Sequence, residues 1–559
     1  MCAPGLGRPP RVLWYAGRNR AAERAWGRER LDERPSSAPA GARVARAATV
    51  ISVAMALSRV LGFVRNSVIS YYFGQGRAAD ILNASYYVPD TLYLILVGGG
   101  MSTAFIPVLT RYLSAKREDQ VWYVASVAYN VVLVGVFVVL AGAIVFTPDL
   151  MHLVVPGFDP LAQADVVVLT RIMFLSILFH CLNAVLMGVE YTYQSFLGTA
   201  VGPLVYNAAI IVIGVLLRPH LSHGAGDIDM RVEAFAIATA IASFLNFAIQ
   251  LWGVARLRPR YALSLNWRHE GMVRLARLSF PVMIGLSFVQ LNFFINQAFF
   301  ASFLPAGSIN ALTLASRVVL VPIMVAISVG IATLPSLSQV GLARDWTRYR
   351  ELFSGALRTV VFISLPASIG LMALAGPVVA VLFEHGHFVA ADTVVTARAL
   401  VGYSVGVVAY AAFEVVSRGF YAIEDTRTPL IASASNLLIS FGLNLVGREL
   451  FGLVGLALAY SASGFVNIAL LTYLLRRRLR RRLGLGGTAR TFVQTLVASL
   501  GMGVVVTVIR LALVREAAIV QLALPLIAGV IVFTVFAVVL RIPEMAQTLM
   551  FIRRRLSRA

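Results

Sequence analysis

Cysteine is nearly absent from this sequence of 559 residues, which contains only Cys2 and Cys181. Two cysteines so far apart provide neither a disulfide framework nor a cysteine-based metal motif. Charged residues are also scarce at 13%, whereas 59% of the residues are hydrophobic and the mean hydropathy is +0.80. A soluble domain of ordinary proportions cannot bury so much apolar surface, so we expect the lipid bilayer to be the solvent.

The sequence also lacks the strand-like alternation of apolar and polar residues that is typical of a membrane β-barrel. Instead, apolar stretches follow one another from Val44 onward, and each can cross about 30 Å of hydrocarbon as a helix. Lipid provides no partners for backbone groups, so an all-α integral membrane protein is predicted. About fourteen transmembrane helices are expected, at residues 47–73, 81–110, 121–147, 165–190, 198–217, 232–255, 278–304, 308–340, 355–383, 391–420, 428–447, 452–475, 491–513 and 517–540.

The net charge of +22 is unevenly distributed along the chain. Arg and Lys are concentrated in the termini and the even-numbered loops and are sparse in the odd-numbered loops, which is the positive-inside pattern. Basic runs such as Arg476–Arg478 and Arg553–Arg555 therefore indicate anchors at anionic lipid headgroups, and no nucleic-acid partner is predicted. We expect a multi-pass protein of the cell inner membrane, in contact with membrane lipids, with both termini in the cytoplasm.

Two similar segments in the chain suggest an internal repeat. It consists of Ala164-Asp165-Val166-Val167 with Arg171, and of Ala391-Asp392 with Val394, Val395 and Arg398. An offset of six helices preserves orientation, so two six-helix lobes related by a pseudo-two-fold axis along the membrane normal are predicted, with chance similarity as the alternative. The predicted segments are a disordered basic cytoplasmic extension at 1–46, an N-lobe at 47–255, a cytoplasmic linker at 256–277, a C-lobe at 278–475, a basic cytoplasmic loop at 476–490, two additional helices within 491–540 and a basic cytoplasmic tail at 541–559.

Three arginines lie within the apolar stretches, where an ionised group is costly and normally faces a cavity or a partner. Arg59 and Arg65 belong to the first predicted helix, and Arg317 belongs to the eighth. Because guanidinium groups bind phosphate oxygens bidentately, an anionic, diphosphate-containing substrate is predicted in a cleft between the lobes. The alternative is that these arginines snorkel or pair with Asp80 or Asp90.

Signatures of catalysis and of metal binding are missing from the sequence. There is no cluster of nucleophile and base, no paired-carboxylate motif, no phosphate-binding glycine loop and no metal-ligand spacing. His385 and His387 flank Gly386 in a predicted outer loop, but no third ligand is near them in the sequence. We therefore expect neither an enzyme nor a bound metal or cofactor.

Several short motifs occur in a fixed order along the chain. They include Ser58-Arg59-Val60-Leu61-Gly62-Phe63-Val64-Arg65, Pro156-Gly157-Phe158, Phe300-Ala301-Ser302, Pro335-Ser336-Leu337-Ser338 and Asp425-Thr426-Arg427-Thr428-Pro429. From about residue 47 to residue 540, these motifs resemble the MurJ/MviN lipid II flippase family of the multidrug/oligosaccharidyl-lipid/polysaccharide exporter superfamily. The first motif resembles the family's Ser-Arg-x-x-Gly-x-x-Arg signature.

The resemblance implies export of lipid II, the undecaprenyl-diphosphate-linked peptidoglycan precursor, by alternating access coupled to the membrane potential. It also implies that Asp80 matches an acidic residue near the outer end of helix 2, and it makes the cell-wall synthesis machinery a candidate partner. The predicted substrate-binding residues are Arg59, Arg65, Arg317, Ser58, Gly62, Asn66, Asp80 and Asn310.

The chain departs from the family pattern at several positions. Asn66 stands where aspartate is frequent, and the second predicted helix has Tyr93, Leu94 and Gly98 where many members carry Arg-Arg and a later Glu. Helix 7 offers Asn296 and Gln297 where some members have an acidic residue linked to sodium binding, so sodium coupling stays open. The alternative functions are a related polysaccharide-lipid or multidrug exporter, although an exporter of cations should have an acidic cleft, and a non-transporting membrane scaffold for cell-wall synthesis.

Overall fold

Every regular element in the described part of the chain is helical, as backbone hydrogen bonding in lipid requires. The computed structural model describes residues 40–97, 100–221, 230–479, 483, 486–546 and 550. The helices are α1 Ala40–Phe73, α2 Arg77–Leu96, α3 Gly100–Ser114, α4 Glu118–Val145, α5 Thr147–Val154, α6 Pro160–Thr192, α7 Leu197–Leu217, α8 Glu233–Ala255, α9 Glu270–Phe294, α10 Ser308–Leu342, α11 Trp346–Ala373, α12 Ala375–Phe383, α13 Ala390–Ala422, α14 Arg427–Arg478, α15 Gly486–Ala512 and α16 Ala518–Val539. The chain divides into Met1–Ser52 and Val53–Ala559, and the site described below belongs to the second unit.

Eleven helices among the described residues are long and apolar enough to cross a membrane, which confirms the multi-pass helical prediction. One of them, α14, covers two predicted spans because the chain turns at Gly452, where φ is +54°. A Cβ atom added at Gly447 would lie 2.6 Å from the carbonyl oxygen of Gly455, whereas a continuous helix would separate these residues by about 12 Å. The element is therefore a hairpin of two helices, and the count of fourteen spans stays a prediction.

The second predicted span, 81–110, is interrupted. Helix α2 ends at Leu96, α3 begins at Gly100, and Val97 has a non-helical φ of −133°. Gly98 and Gly99 lie outside the described residues. Each glycine disfavours a helix by about 1 kcal/mol relative to alanine, so three in succession explain why this predicted span contains two helices.

Several helices begin before the predicted apolar spans. Asp345 caps α11 by accepting a hydrogen bond from the backbone N–H of Arg348, which extends this helix into polar sequence. Helix α1 begins at Ala40, inside the segment predicted to be disordered, where frequent alanine favours a helix. Residues 1–39 lie outside the described residues, so their disorder stays a prediction.

The helices of each predicted lobe pack mainly around one central helix. Helix α6 contacts α2, α3, α4, α5 and α8, and α13 contacts α10, α11, α12 and α14. Helix α9, predicted to begin the C-lobe, contacts α2 and α3 as well as α14, so it bridges the lobes. The linker before it is held on the N-lobe, because Asn130 Nδ2 of α4 donates to the carbonyl oxygens of Ala262 and Ser264 at 3.0 Å each. The pseudo-two-fold relation between the lobes stays a prediction.

Close backbone contacts join the two lobes at one end. We call this region the interlobe seal; it comprises residues 71–80 and 155–158 of the N-lobe and 302–310 and 384–388 of the C-lobe. The backbone N–H of His387 donates to the carbonyl oxygen of Tyr71 at 2.8 Å, and the N–H of Gly157 donates to Ser302 Oγ at 3.1 Å. Gly307 has a φ of +91°, and a Cβ there would collide with the backbone of the N-lobe. In the predicted orientation the seal lies at the outer surface.

Candidate functional site

Arg65 of α1 and Arg317 of α10 line one small cavity between the lobes. Both side chains are partly buried, and they lie close enough to interact electrostatically. Among the ion pairs of the described residues, none joins either arginine to a carboxylate. Two guanidinium groups held together without a directly paired acid are costly at membrane depth, so the cavity offers positive charge to an anion.

The remaining lining of this cavity is largely polar and includes Asn66, Asn83, Tyr86 and Asn310. Asn83 Nδ2 of the N-lobe donates to Asn310 Oδ1 of the C-lobe at 3.0 Å, and the Tyr86 hydroxyl hydrogen-bonds to Thr239 Oγ1 at 2.8 Å. The cavity has a volume of about 20 Å³, which is room for about one water molecule. In this conformation the cavity therefore leaves little space between the two arginines.

Asp90 contributes the nearest opposing charge. Its carboxylate attracts Arg317 and Arg65 electrostatically, and its side chain is exposed although it lies well inside α2. Such an exposed acid within an apolar helix faces a cavity rather than lipid. Two arginines against one aspartate leave a surplus of positive charge, so direct pairing with Asp90 does not neutralise the site.

Asp80 makes a different kind of contact. Only 1% of this residue is exposed, and its Oδ2 and Oδ1 atoms accept hydrogen bonds from the backbone N–H groups of Gly307 and Asn310 at 2.7 and 2.8 Å. These groups belong to the start of α10, so a carboxylate of the N-lobe caps a helix of the C-lobe. In the described structure Asp80 belongs to the interlobe seal and forms no ion pair with Arg65 or Arg317.

The other predicted residues of α1 lie toward its beginning. Arg59 is exposed and lies about 9 Å before Arg65 along the helix. Ser58 accepts hydrogen bonds from Asn207 Nδ2 at its carbonyl oxygen and at Oγ, both at 3.3 Å, and a Cβ at Gly62 would lie 3.9 Å from Asn207 Oδ1. The cavity thus unites four of the eight predicted residues, namely Arg65, Asn66, Asn310 and Arg317.

Sequence reasoning missed Asn83 and Tyr86 as cavity residues. Together with Asp90 they follow a spacing of three and four residues along α2, which places them on one helix face. A polar stripe on an apolar membrane helix is a signal for a surface that faces a cleft, and it was available in the sequence.

Asn296 and Gln297, which belong to the seventh predicted span and to the segment directly after α9, take part in a neutral hydrogen-bond network. Asn296 Nδ2 donates to Asn444 Oδ1 at 2.7 Å, and the Tyr403 hydroxyl donates to Asn296 Oδ1 at 2.5 Å. Gln297 Oε1 accepts a hydrogen bond from the Tyr87 hydroxyl at 3.1 Å. These amides therefore connect the segment that follows α9 to both lobes without placing a charge in the core.

A membrane fold that is helical throughout the described residues, with a cationic cavity between the predicted lobes, is the architecture of a membrane transporter. The chain belongs to the lipid II flippase MurJ family, whose family model matches residues 69–547.

One curated relative agrees with this assignment, and two solved structures share the fold. The lipid II flippase MurJ of Burkholderia cenocepacia is 30% identical over 440 residues, which are 78% of this chain and 84% of that protein. A solved structure of lipid II flippase MurJ in an inward closed conformation has a TM-score of 0.72 and 23% identity, covering 88% of this chain and 99% of that chain. An inward-facing multidrug resistance MATE family transporter of the MOP superfamily has a TM-score of 0.65 and 15% identity. The match covers 79% of this chain and 99% of that chain.

Proposed function

We propose that this protein is a lipid II flippase, which moves the undecaprenyl-diphosphate-linked peptidoglycan precursor from the inner to the outer leaflet by alternating access and without a chemical step. Its family and the names of its relatives support this function. The observation that carries the proposal is the cavity in which Arg65 of one lobe and Arg317 of the other face each other without a directly paired acid.

A diphosphate between these arginines would be bound by both lobes at once. Guanidinium groups form bidentate hydrogen bonds with phosphate oxygens, and a low-dielectric surrounding strengthens them. An anion that contacts Arg65 and Arg317 together stabilises the conformation in which the lobes are close, so binding is coupled to closure. Meanwhile the interlobe seal would keep the opposite end of the cleft shut.

The membrane potential is the proposed driving force. Outward movement of an anionic headgroup down an inside-negative potential gains about 2.3 kcal/mol per charge for every 100 mV. The neutral, hydrogen-bonded amides Asn296 and Gln297 support transport without sodium at that position. In reconstituted vesicles, replacing sodium with potassium at constant potential should leave the flipping rate unchanged, and collapsing the potential should lower it. A sodium requirement would contradict this part of the proposal.

The proposed location is the inner membrane, with both termini in the cytoplasm, and the arginine distribution supports it. Cysteines introduced one at a time at exposed positions of the 148–164 segment should react with an impermeant reagent from outside. Cysteines introduced into the 476–490 loop should react only after the membrane is permeabilised. The opposite pattern would reverse the orientation.

Depletion of the protein tests the function directly. In a strain without a second flippase, lipid II should accumulate in the inner leaflet, and its outer-leaflet pool should fall. An unchanged distribution would refute the proposed function, whereas the cell-wall synthesis machinery as a partner stays a separate prediction.

A further inference from the structure

A second and larger cavity lies inside the C-lobe. It has a volume of about 300 Å³ and is enclosed by helices α9, α10, α13 and α14; we call it the C-lobe cavity. Arg317 lines both this cavity and the small cavity that contains Arg65. Ligand pockets range from roughly 300 to 1,000 Å³, so the C-lobe cavity, at the lower end of this range, can hold one sugar ring of a larger headgroup.

Aromatic rings form much of the wall. The rings of Tyr410 and Tyr460 are stacked with centroids 4.4 Å apart, and the ring of Phe293 lies 5.3 Å from that of Tyr460. Phe288 and Phe413 also line the cavity. The negative faces of aromatic rings attract the partly positive C–H groups of a sugar ring, so this wall can hold a polar ligand without a charge.

Two amides on the wall have unused acceptors. Asn436 and Asn467 are each 5% exposed, and the Oδ1 atom of each accepts no hydrogen bond in the described structure. By contrast, Asn292 Oδ1 accepts a hydrogen bond from Ser440 Oγ at 2.9 Å. A buried acceptor without a partner is costly, so such atoms normally meet a donor from a ligand or from water. The matching ligand carries hydroxyl or amide N–H groups.

The charges at the cavity favour a neutral ligand beside an anion. Glu414 lines the cavity, but its carboxylate is paired with Arg418 four residues later on α13. Arg317 has no such direct partner among the described residues, so it stands at the boundary between the two cavities as an anion-binding group.

We propose that the C-lobe cavity binds the sugar ring that is joined to the substrate diphosphate, while Arg65 and Arg317 hold the diphosphate itself. This inference rests on the proposed function, because it requires a diphosphate-linked sugar as substrate. It assigns hydrogen-bond acceptance from the sugar to Asn436 and Asn467, and apolar contact with the sugar to the aromatic wall.

Binding of two probes to the purified full-length protein tests this inference. One probe is a short isoprenyl diphosphate, and the other is the same lipid diphosphate carrying one N-acetylhexosamine. The double variant with Asn436→Leu and Asn467→Leu should bind the sugar-bearing probe roughly tenfold more weakly, as expected for two lost hydrogen bonds. Its affinity for the sugarless probe should be unchanged. The matched control is Asn183→Leu, which removes a buried N-lobe amide whose Oδ1 also lacks a partner and should affect neither probe.

A second variant guards against misfolding of the double variant. Ser433 lines the C-lobe cavity. Ser433→Leu should fill part of this cavity and weaken binding of the sugar-bearing probe without changing binding of the sugarless probe. Equal weakening of both probes, or of neither, overturns the sugar assignment. Arg317→Ala and Arg65→Ala test the diphosphate site separately. If these variants bind the sugarless probe as tightly as the original protein does, the proposed anion site is wrong, whatever the result for the sugar.

Discussion

The interlobe seal and the cavity of Arg65 and Arg317 both join the lobes, but they differ in how their polar groups are satisfied. In the seal, both oxygens of Asp80 accept backbone hydrogen bonds, and loop backbones meet at hydrogen-bonding distance. In the cavity, two guanidinium groups repel each other, and Asp90 is the carboxylate among the described residues that attracts them without forming an ion pair. The polar groups of the seal that are described above have hydrogen-bond partners without a ligand, whereas the arginines of the cavity have no directly paired acid.

This difference separates two kinds of mutational effect. Damage to the seal should change the stability of the closed conformation, because interactions already present are lost. Damage to the cavity should change transport without loss of protein, because the most important interactions form only with the substrate.

The largest effect is expected at the cavity. Arg65→Ala and Arg317→Ala should each lower transport by roughly 10- to 100-fold, since charge-assisted hydrogen bonds contribute about 1.5–3 kcal/mol each. Lysine at either position should restore only part of the activity, because a point charge cannot reproduce the planar fork of a guanidinium group. The measurement is a transport assay normalised to membrane abundance.

Arg398→Ala is the control for these variants, because it removes an exposed arginine from the start of α13. It should leave transport near the original level. If the Arg65 and Arg317 variants keep full activity, or lose protein in proportion to activity, then these arginines do not form a substrate site.

The next largest effect is expected at the acid of the seal. Asp80→Ala should remove about 3 kcal/mol of charge-assisted hydrogen bonding between the lobes. Hydrogen exchange in residues 302–310 should then become faster, because the N–H groups of Gly307 and Asn310 lose their acceptor. Asp392→Ala is a matched control, since Asp392 Oδ2 accepts from the N–H of Val389 within one helix start. Equal exchange in both variants would show that Asp80 does not hold the seal.

A smaller effect is expected from crowding the seal. A Cβ at Gly157 would collide with the backbone of Ser302 and Phe303, so Gly157→Ala should lower the unfolding temperature through a strain of about 1–3 kcal/mol. Gly142→Ala is the control, because nothing lies within 4 Å of its added Cβ and alanine favours the helix. If Gly142→Ala lowers the unfolding temperature as much as Gly157→Ala does, then the close backbone contact at Gly157 is not the cause of the destabilisation.

The smallest effect is expected at Arg59. Its exposed side chain forms no ion pair in the described structure, and exposed charges usually contribute about 0.2–1 kcal/mol. Arg59→Ala should therefore lower normalised transport by no more than roughly fivefold. A loss as severe as that of Arg65→Ala would mean that Arg59 joins the cavity in another conformation, as the sequence analysis predicted for all three arginines.

Local properties made much of this molecule predictable. Hydropathy identified the membrane helices, since apolar length is read directly from consecutive residues. The cost of burying charge identified Arg65 and Arg317. The role of Asp80 was not accessible in the same way, because its partners are backbone N–H groups more than 200 residues away, which have no signature in side-chain composition.

Breaks between helices were predicted in their positions but not in their geometry. The hairpin at Gly452 appears in the sequence only as a short gap between apolar stretches, and the break after Leu96 appears only as a run of glycines. Both interruptions depend on backbone angles that glycine permits but does not require.

By itself, the sequence determined that this chain is a helical membrane protein with arginines at membrane depth, because these features follow from the solvation of individual residues. Only the tertiary structure decided that Arg65 and Arg317 share a cavity while Arg59 stays apart, that Asp80 closes the seal, and that Arg317 borders a second cavity within the C-lobe. The physical reason is that solvation is a property of each segment, whereas a site depends on which helix faces meet.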